Sequence, residues 1–285
     1  MKKGLFIGLT SLDFIYLTAR MPEPNQKVVA LDQTIAAGGP ATNAAVTFNY
    51  LGNESKLLTI VGSHPLSNLI KSDLEKYTLK VEDLAPKRLE SPPVSSIIVT
   101  QSTGERAVIS INATKSQATV AQIPGNILEG IDVVLVDGHQ MLVSQYIAQQ
   151  AKQKNIPVVM DGGSWKEGFE QVLPYVDYAI CSANFYPPKC QKIEEVFAYL
   201  QAVGIPYIAI THGAKPIEYQ SKKMSGNFVV PKIKPVDTLA AGDIFHGAFC
   251  HYLFENDFID ALCNASQIAA RACEFFGSRR WMEKV

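Results

Sequence analysis

The residues best suited to chemistry stand in the stretch PVDTLAAGDIFHGAFCHYLFEN, residues 235–256. Three small residues, Ala240, Ala241 and Gly242, lead directly into a segment whose apolar positions recur at helical spacing. Small side chains at a helix N-terminus let backbone N–H groups approach an anion closely, and the helix dipole favours negative charge there. The stretch therefore predicts an anion site, and a phosphate undergoing transfer is a natural occupant.

An aspartate, Asp243, falls in the first turn of this predicted helix. A carboxylate at that place lies beside the bound phosphate and can accept the proton of an attacking hydroxyl on a second substrate. Aspartate is also favoured as a cap near any helix start. The residue type alone therefore leaves catalysis and capping open.

A second stretch, AAGGPATNAAVTFNYLG at residues 36–52, combines a double glycine, Gly38 and Gly39, with Asn43 at the start of another predicted helix. The glycines allow a ligand to lie close to the backbone. The Asn43 amide can both donate hydrogen bonds to adjacent hydroxyls and accept them. The pattern fits a polyol site, and a plain turn before a helix is the alternative interpretation.

Together the two stretches resemble the signatures of the ribokinase-like sugar kinases, also called the PfkB family. The C-terminal signature reads DTxGAGD, and Asp237, Thr238, Ala241, Gly242 and Asp243 match it in register. The N-terminal signature is a double glycine followed by an Asn, opening a helix that ends in Leu-Gly. The resemblance covers nearly the whole chain. It implies an ATP-dependent kinase that phosphorylates a hydroxyl of a small sugar or sugar derivative.

The resemblance also implies roles for individual residues. Asp243 would be the general base that takes the proton. The backbone amides of Ala240, Ala241 and Gly242 would form the anion hole that holds the transferred phosphate. The sugar would be bound by residues from the first strand end and the first helix start: Asp13, Gly38, Gly39 and Asn43. The nucleotide would be bound by residues of the later strand ends and helices: Asn184, Thr211, Gly213, Asp237, Thr238 and Asn264.

Three positions depart from the family pattern. The Glu of the NxxE element is Pro187, and the last glycine of TxGxxG is Pro216. The first glycine of GAGD is Ala240, whose methyl group is tolerated if φ there is negative. Magnesium prefers oxygen ligands and keeps several waters, so without the Glu we expect ATP phosphates and water to hold the ion. No protein metal ligand is assigned.

The expected cofactors are ATP and Mg2+, and a requirement for a monovalent cation such as K+ stays open. One rival function is a nucleoside kinase of the same fold, for which Phe14 and Tyr16 would line a purine site. Another is a non-catalytic PfkB-like protein that binds a nucleotide or a partner chain. The segments VVLVDGHQ, IPVVMDGG and VDYAICS resemble the ketohexokinase-like branch without fixing the sugar. His139 is interpreted as structural and His246 as a core residue behind the site.

The elements that must position these residues follow from periodicity. From about residue 132, short β-branched runs alternate with amphipathic helical stretches, which predicts a parallel sheet with helices on both faces. The family resemblance implies the α/β fold in full, a ribokinase-like three-layer sandwich formed by residues 1–285 as a single domain. Strand-like segments at about 14–37 and 94–112 predict a small β-sheet lid that excludes water, and an ordinary sheet extension or a dimer edge is the alternative interpretation. By analogy, an apolar lid surface favours a homodimer through the lid.

Composition narrows the class of protein. The 26 basic residues nearly balance the 27 acidic ones and form no extended cluster, so we expect no nucleic-acid partner. No apolar run approaches the roughly 18 residues that span a bilayer, so we expect no membrane partner. The opening segment MKKGLFIGL is interpreted as a buried strand rather than a leader. Five cysteines without metal-type spacing fit a reducing, cytoplasmic setting.

Overall fold

The computed structural model describes residues 1–111 and 116–283. Its strands, in chain order, are β1 (Lys3–Ile7), β2 (Ser11–Thr18), β3 (Asp32–Gly38), β4 (Glu54–Thr59), β5 (Lys80–Asp83), β6 (Val94–Thr100), β7 (Arg106–Ser110), β8 (Val133–Val136), β9 (Val158–Gly162), β10 (Tyr178–Ser182), β11 (Tyr207–His212), β12 (Lys215–Ser221) and β13 (Ser225–Phe228). Its α-helices are α1 (Pro40–Tyr50), α2 (Ser67–Glu75), α3 (Met141–Gln153), α4 (Phe169–Val172), α5 (Ile193–Val203), α6 (Ala241–Tyr252) and α7 (Phe258–Ala272).

The larger sheet has the strand order β13-β12-β11-β10-β9-β8-β1-β4-β5. Along this order, all neighbouring strands from β11 across to β5 are parallel. At the other edge, β12 pairs antiparallel with β11, and β13 pairs antiparallel with β12. Every residue of β8, with the sequence VVLV, is buried, as expected for a strand covered on both faces. The predicted mostly parallel sheet is confirmed. The antiparallel edge is a hairpin turning at Gly213, where φ is 64°.

Helices cover both faces of this sheet, because successive strand residues point to opposite sides. On β1, Phe6 packs in one apolar core with α1, α6 and α7, whereas Leu5 and Ile7 pack in a second core with α3 and α5. The predicted three-layer sandwich is confirmed. Within residues 1–111 and 116–283, no helix is both long enough and apolar enough to cross a membrane.

The smaller sheet has the order β3-β2-β6-β7 and is separate from the larger one. Its β6–β7 hairpin turns at Thr103 and Gly104, and residue 112, the predicted end of the second lid segment, lies outside the described residues. Ile15 and Ile97 are buried on one face and form a cluster with Phe276. Leu239, in the loop before α6, packs against the same cluster. The small sheet thus lies over the loop that enters α6.

Candidate active site

The candidate site lies where the carboxyl ends of the parallel strands meet the N-terminus of α6. In open α/β sheets this edge is where ligands bind. Asp137 directly follows β8, and Asp161 lies near the end of β9. The imidazole Nε2 of His246, on α6, lies 3.1 Å from the Ile180 carbonyl oxygen of β10, which fixes the helix against this edge.

The start of α6 leaves backbone donors open. Ala240 is the N-cap residue, and no side chain caps the helix. Among the described residues, no acceptor is hydrogen-bonded to the N–H groups of Gly242 and Asp243. A side chain at Gly242 would meet no atom within 4 Å, so the space at this turn is open. Orphan N–H groups and the helix dipole favour an anion at such a terminus.

The backbone conformation at Ala240 differs from the negative φ expected from the sequence. Its φ is 59°, in the left-handed region, so the methyl group is accommodated at a positive and not a negative φ. An L-residue in this region is strained by roughly 1–2 kcal/mol. The Ile244 N–H donates to the Ala240 carbonyl at 2.8 Å, and burial of the methyl group in the core further fixes the residue. Ala240 thus holds a left-handed conformation that a glycine would adopt without this strain.

Asp243 accepts a hydrogen bond from Asn43 and does not cap its helix. Its Oδ2 lies 2.7 Å from Asn43 Nδ2. By contrast, Asp257 at the start of α7 accepts from the N–H groups of Ile259 and Asp260, both at 2.9 Å. The capping interpretation therefore does not describe Asp243. Its carboxylate joins the two helix N-termini that carry the two sequence signatures.

Burial raises the pKa of Asp243 above its ordinary value, while the hydrogen bond from Asn43 and the charge of His246 lower it. Asp161 is also buried, and burial together with the neighbouring charge of Asp243 raises its pKa to about 6, against the charge of His246. His246 Nδ1 lies 2.7 Å from the Gly242 carbonyl oxygen and 3.4 Å from Asp161 Oδ2. His246 thus lies directly behind the anion loop, as predicted for a core residue.

Asp13 lies in β2, at the base of the small sheet, rather than at the end of β1. The apolar run at the N-terminus contains a break after Ile7, where the chain crosses from the larger sheet to the smaller one. Ser11 Oγ donates to Asp13 Oδ1 at 2.8 Å. Burial raises the pKa of Asp13, hydrogen bonds from Ser11 and Ser95 lower it, and the Asp243 charge raises it. Asp13 and Asp243 therefore belong to one electrostatic site.

The double glycine makes room for its neighbours. A side chain at Gly38 would place Cβ 1.8 Å from Asp13 Oδ2, and one at Gly39 would place it 2.3 Å from the Leu9 carbonyl oxygen. Gly39 also has a φ of 102°, which L-residues rarely adopt. Gly38 lies in β3 beside Asp13, and Gly39 precedes α1, so both are brought to Asn43 and Asp243.

Asp137 connects the segment after β1 to the start of α1. Its Oδ2 accepts the N–H groups of Leu9 at 2.9 Å and Ala41 at 3.0 Å. Its Oδ1 accepts the His139 N–H at 2.9 Å and lies 3.1 Å from His139 Nδ1. Burial would raise the pKa of Asp137, but the charge of His139 and these hydrogen bonds hold it below its ordinary value. His139 is thus structural, as interpreted from the sequence.

Three residues predicted to bind nucleotide lie at adjacent strand ends. Ser182 of β10 pairs with Thr211 of β11, and the Ala183 N–H donates to the Thr211 carbonyl at 2.9 Å. Asn184 follows directly, its N–H held by Ser182 Oγ at 3.1 Å. Gly213 is the β11–β12 turn, where a side chain would meet no atom within 4 Å. These residues line the part of the strand edge beyond Asp161.

Asp237 and Thr238 hold the anion loop against its surroundings. Asp237 accepts the N–H groups of Leu239 and Gly277, both at 2.8 Å. Arg106 Nη1, from β7, donates to the Thr238 carbonyl at 3.0 Å and to its hydroxyl at 2.9 Å. The Arg106 charge also lowers the pKa of Asp243, although burial is the larger influence and raises it. A strand of the small sheet thus places a guanidinium beside the loop that enters α6.

The structure does not bring Asn264 to this group of residues. Asn264 lies midway along α7, and its Nδ2 donates to Asn256 Oδ1 at 3.3 Å. Asn256 follows the C-terminal turn of α6, whereas Asp243 is in the first turn of that helix. Twelve helical residues span about 18 Å. The Asn264 amide is held toward the end of α6 remote from the anion loop.

Sequence reasoning missed several residues at the site. Each of them either carries a buried charge or directly contacts a predicted residue. These residues are Arg106, Asp137, Asp161 and Arg279. A signal was present for two of them, because Asp137 and Asp161 come at the ends of the apolar runs VVLV and VVM. Strand ends are where ligand groups collect in open sheets. Arg106 and Arg279 carry no comparable local signal.

Comparison with known proteins agrees with this fold. The pattern of the pfkB family carbohydrate kinases matches residues 1–284. The chain belongs to the pfkB family of carbohydrate kinases. The resemblance drawn from the two signatures is thereby confirmed, as is the expected class of enzyme.

Individual relatives are distant but cover the chain. A ribokinase of Lactococcus lactis is 24% identical, over 100% of this chain and 95% of the relative. A ribokinase from Arabidopsis thaliana, solved with ribose and ATP, superposes with a TM-score of 0.77 at 17% identity, covering 100% of this chain and 99% of that one. An E. coli protein solved with ATP and Mg2+ superposes with a TM-score of 0.81 at 17% identity, covering 99% and 96%. At these identities the superpositions show the fold.

Proposed function

We propose that this carbohydrate kinase transfers the γ-phosphoryl group of ATP to a hydroxyl of a small sugar, with Asp243 as the general base. One observation carries the proposal. The partly buried Asp243 carboxylate is anchored to Asn43 through Oδ2, beside a helix N-terminus whose N–H groups and space are open. A proton acceptor and an anion site are thus adjacent, which is the arrangement that phosphoryl transfer to a hydroxyl requires.

The residues present fit ATP and Mg2+. The open turn at Gly242 suits a phosphate, and Gly213 leaves the strand edge beyond Asp161 open for the rest of a nucleotide. Among residues 1–111 and 116–283, no group of three or more His, Cys, Asp and Glu side chains could hold a metal ion. We propose that the nucleotide's phosphates and water carry the ion. Bound together, Mg2+ and ATP supply the phosphoryl group with its charge partly neutralised.

Each protein group has a defined part in the reaction. Asp243 draws the proton from the attacking hydroxyl, and its raised pKa makes it a better base than an exposed aspartate. The N–H groups of Gly242 and Asp243 face the charge that develops on the transferred group. Arg106, held on Thr238, adds a positive charge from the small sheet. The small sheet acts as a lid that excludes water, the competing phosphoryl acceptor.

The sugar side is assigned to Asp13 and Asn43. A carboxylate that already accepts from Ser11 has remaining lone pairs for sugar hydroxyls, and the absence of a side chain at Gly38 leaves room for this carboxylate. The ribokinase relatives, and the Arabidopsis ribokinase solved with ribose, favour a pentose or hexose as the substrate class. Membership of the ketohexokinase-like branch and dependence on a monovalent cation stay predictions.

The nucleoside-kinase alternative loses its main support. Side chains alternate across a strand, so Phe14 and Tyr16 of β2 lie on the face opposite to Asp13 and Ile15. Aromatic rings on that face do not line a base pocket beside Asp13. A nucleoside that stimulates turnover in the assay below would restore this alternative.

A homodimer through the lid stays a proposal, supported by the exposed face of the small sheet. Ile35, Phe14, Ser96 and Ile109 lie in one row across its four strands. Ile35 is 41% exposed and Ile109 is 74% exposed. Apolar side chains in such a row favour a second sheet as a cover. Light scattering of the protein and of an Ile109→Lys variant tests this: a monomeric wild type would contradict it.

The function is tested by ATP consumption with Mg2+ across ribose, deoxyribose, fructose, other aldoses and ketoses, sugar phosphates and nucleosides. We expect one sugar to stimulate turnover and Asp243→Asn to abolish the stimulation. Nucleotide binding without turnover on any compound would support the non-catalytic alternative instead. The melting temperature with and without nucleotide separates that outcome from a protein that fails to bind at all.

A further inference from the structure

A buried arginine, Arg279, lies behind the candidate site with no part in the mechanism above. Its Nη1 donates to Asn43 Oδ1 at 2.8 Å, and its Nη2 donates to the Ala37 carbonyl at 2.6 Å. The residue is 8% exposed. We propose that Arg279 is a positioning residue that fixes the orientation of the Asn43 amide and, through it, the Asp243 carboxylate. This inference rests on the proposed function, since it takes Asp243 to be the base.

The chemistry of the donors determines the orientation. A guanidinium can only donate, so the Asn43 atom facing Arg279 must be the amide oxygen. The amide nitrogen then faces Asp243, and its N–H donates to Oδ2 at 2.7 Å. If the amide rotated by 180°, its oxygen would face the carboxylate and both atoms would be acceptors. Arg279 therefore excludes the orientation in which Asp243 loses its donor.

Arg279 is itself held by the strand that carries the double glycine. Its Nε lies 3.7 Å from Asp73 Oδ2, and Asp73 of α2 also accepts the Ala37 N–H at 2.9 Å. The guanidinium and Asp73 thus bond the two backbone groups of Ala37, next to Gly38. A buried charge needs a partner of this kind. The network connects α2, β3, α1 and α6 at the point where the sugar is proposed to bind.

The network also determines which Asn43 donor lies beside Asp243. Asn43 Oδ1 accepts from Arg279 with one of its two lone pairs, and one Asn43 N–H donates to Asp243. The second N–H of the same nitrogen stays available to a substrate oxygen. The attacking hydroxyl can use it, because it donates its proton to Asp243 while its oxygen accepts from Asn43. Arg279 thereby favours a hydroxyl placed between Asn43 and Asp243.

Other charges also influence Asp243 and set the background for a pH test. One of these groups lies on α6 itself, and the others lie on or directly after the strands β7, β8, β9 and β2. In that order they are His246, Arg106, Asp137, Asp161 and Asp13. Apart from Asp243 itself, no charged group other than Arg279 is hydrogen-bonded to the Asn43 side chain in the described part of the chain. A change of Arg279 therefore reaches Asp243 by one of two routes. The first runs through Asn43, and the second bypasses it, as a direct loss of positive charge or through Asp13, whose pKa the Arg279 charge lowers.

The test is the pH dependence of kcat for Arg279→Met, with Arg280→Met as the matched control. Arg280 is the adjacent arginine, but its Nη1 pairs with Asp32 at 2.6 Å, away from Asn43. We expect the acid limb of kcat to move up by about one pH unit in Arg279→Met, a tenfold change in ionisation. We expect it to stay at the wild-type pH in Arg280→Met. An unmoved limb in Arg279→Met overturns the proposal.

An Asn43→Ala background separates the two routes. If Arg279 acts through Asn43, adding Arg279→Met to Asn43→Ala moves the limb no further, whereas a direct charge effect persists in the double variant and contradicts the proposal. Should Arg279→Met fail to fold, Arg279→Gln replaces it. Glutamine can donate or accept a hydrogen bond, so it leaves the orientation of the Asn43 amide unspecified. An unmoved acid limb of kcat in the folded Arg279→Gln variant also overturns the proposal. Wild-type turnover that survives Asp243→Asn would instead sink the proposed function.

Discussion

Gly38→Ala is the substitution whose consequence the geometry defines most sharply. The new Cβ would lie 1.8 Å from Asp13 Oδ2 and 2.3 Å from Asp13 Cγ. Real Cβ contacts shorter than 3.0 Å essentially do not occur, so the carboxylate must move by roughly 1.2 Å. Such a shift disrupts the 2.8 Å hydrogen bond from Ser11 and displaces the carboxylate proposed to bind the sugar.

The magnitude follows from the lost hydrogen bonds. A hydrogen bond to a charged group is worth about 1.5–3 kcal/mol, so kcat/KM for the sugar should fall by about 10- to 150-fold. The apparent KM for ATP should change little, because Gly38 lies on the sugar side of Asp243. Repacking of a buried site also lowers the free energy of unfolding, by about 1–3 kcal/mol.

The assay is steady-state kinetics of the sugar that passes the panel, with Gly125→Ala as the control. A side chain at Gly125 would meet no atom within 4 Å, so that variant should behave as wild type. A cycle with Asp13→Ala adds a second test, since the methyl group introduced by Gly38→Ala no longer collides once the carboxylate is gone. Wild-type kcat/KM in Gly38→Ala, or additive losses in the double variant, would refute the assignment of Asp13.

Three further predictions concern stability and charge. Asp137→Ala leaves the N–H groups of Leu9, Ala41 and His139 without their acceptor, so it should lower the free energy of unfolding by about 3–5 kcal/mol in urea titrations. The control, Asp257→Ala, removes only a helix cap and should cost about 1 kcal/mol. Equal losses in the two variants would contradict the prediction. Burial raises the pKa of Asp161 to about 6, so the folded state holds a proton that the unfolded chain releases, and stability should fall as pH rises from about 4 to about 6. Asp161→Asn should reduce that slope in melts across this range, the remainder coming from Asp13 and Asp243, whose pKa values are also raised, and an unchanged slope would disprove it. Arg106→Met should lower kcat about tenfold or more with little change in melting temperature, and a wild-type kcat would count against its role at the anion loop.

Much of the fold could be predicted because its signals are local. The run VVLV, buried throughout, and the alternation with amphipathic helices specify a covered parallel sheet without reference to any distant residue. The position of Asp13 could not be read this way. The chain leaves β1 after Ile7 and enters the small sheet within four residues, and nothing in the apolar pattern marks the change of sheet.

The site was predictable only as far as its residues sit in contiguous motifs. Asp243 and Asn43 are 200 positions apart, and their hydrogen bond depends on how α1 and α6 pack. Arg279 is 236 positions from Asn43, in a C-terminal segment with no helical or strand period. The φ of 59° at Ala240 likewise depends on tertiary packing that holds an alanine where glycine is favoured.

The central claim is that Asp243 is the base that allows a sugar hydroxyl to be phosphorylated. The most direct measurement is mass-spectrometric detection of the phosphorylated sugar after incubation with ATP and Mg2+, for wild type, Asp243→Asn and Asp260→Asn. Asp260 is the matched control, because it is also an aspartate in the first turn of a helix, α7, but lies outside the site. We predict product from wild type and Asp260→Asn, and a loss of at least about 100-fold for Asp243→Asn, as expected when general base catalysis is removed. Product formation by folded Asp243→Asn at the wild-type rate would contradict the account.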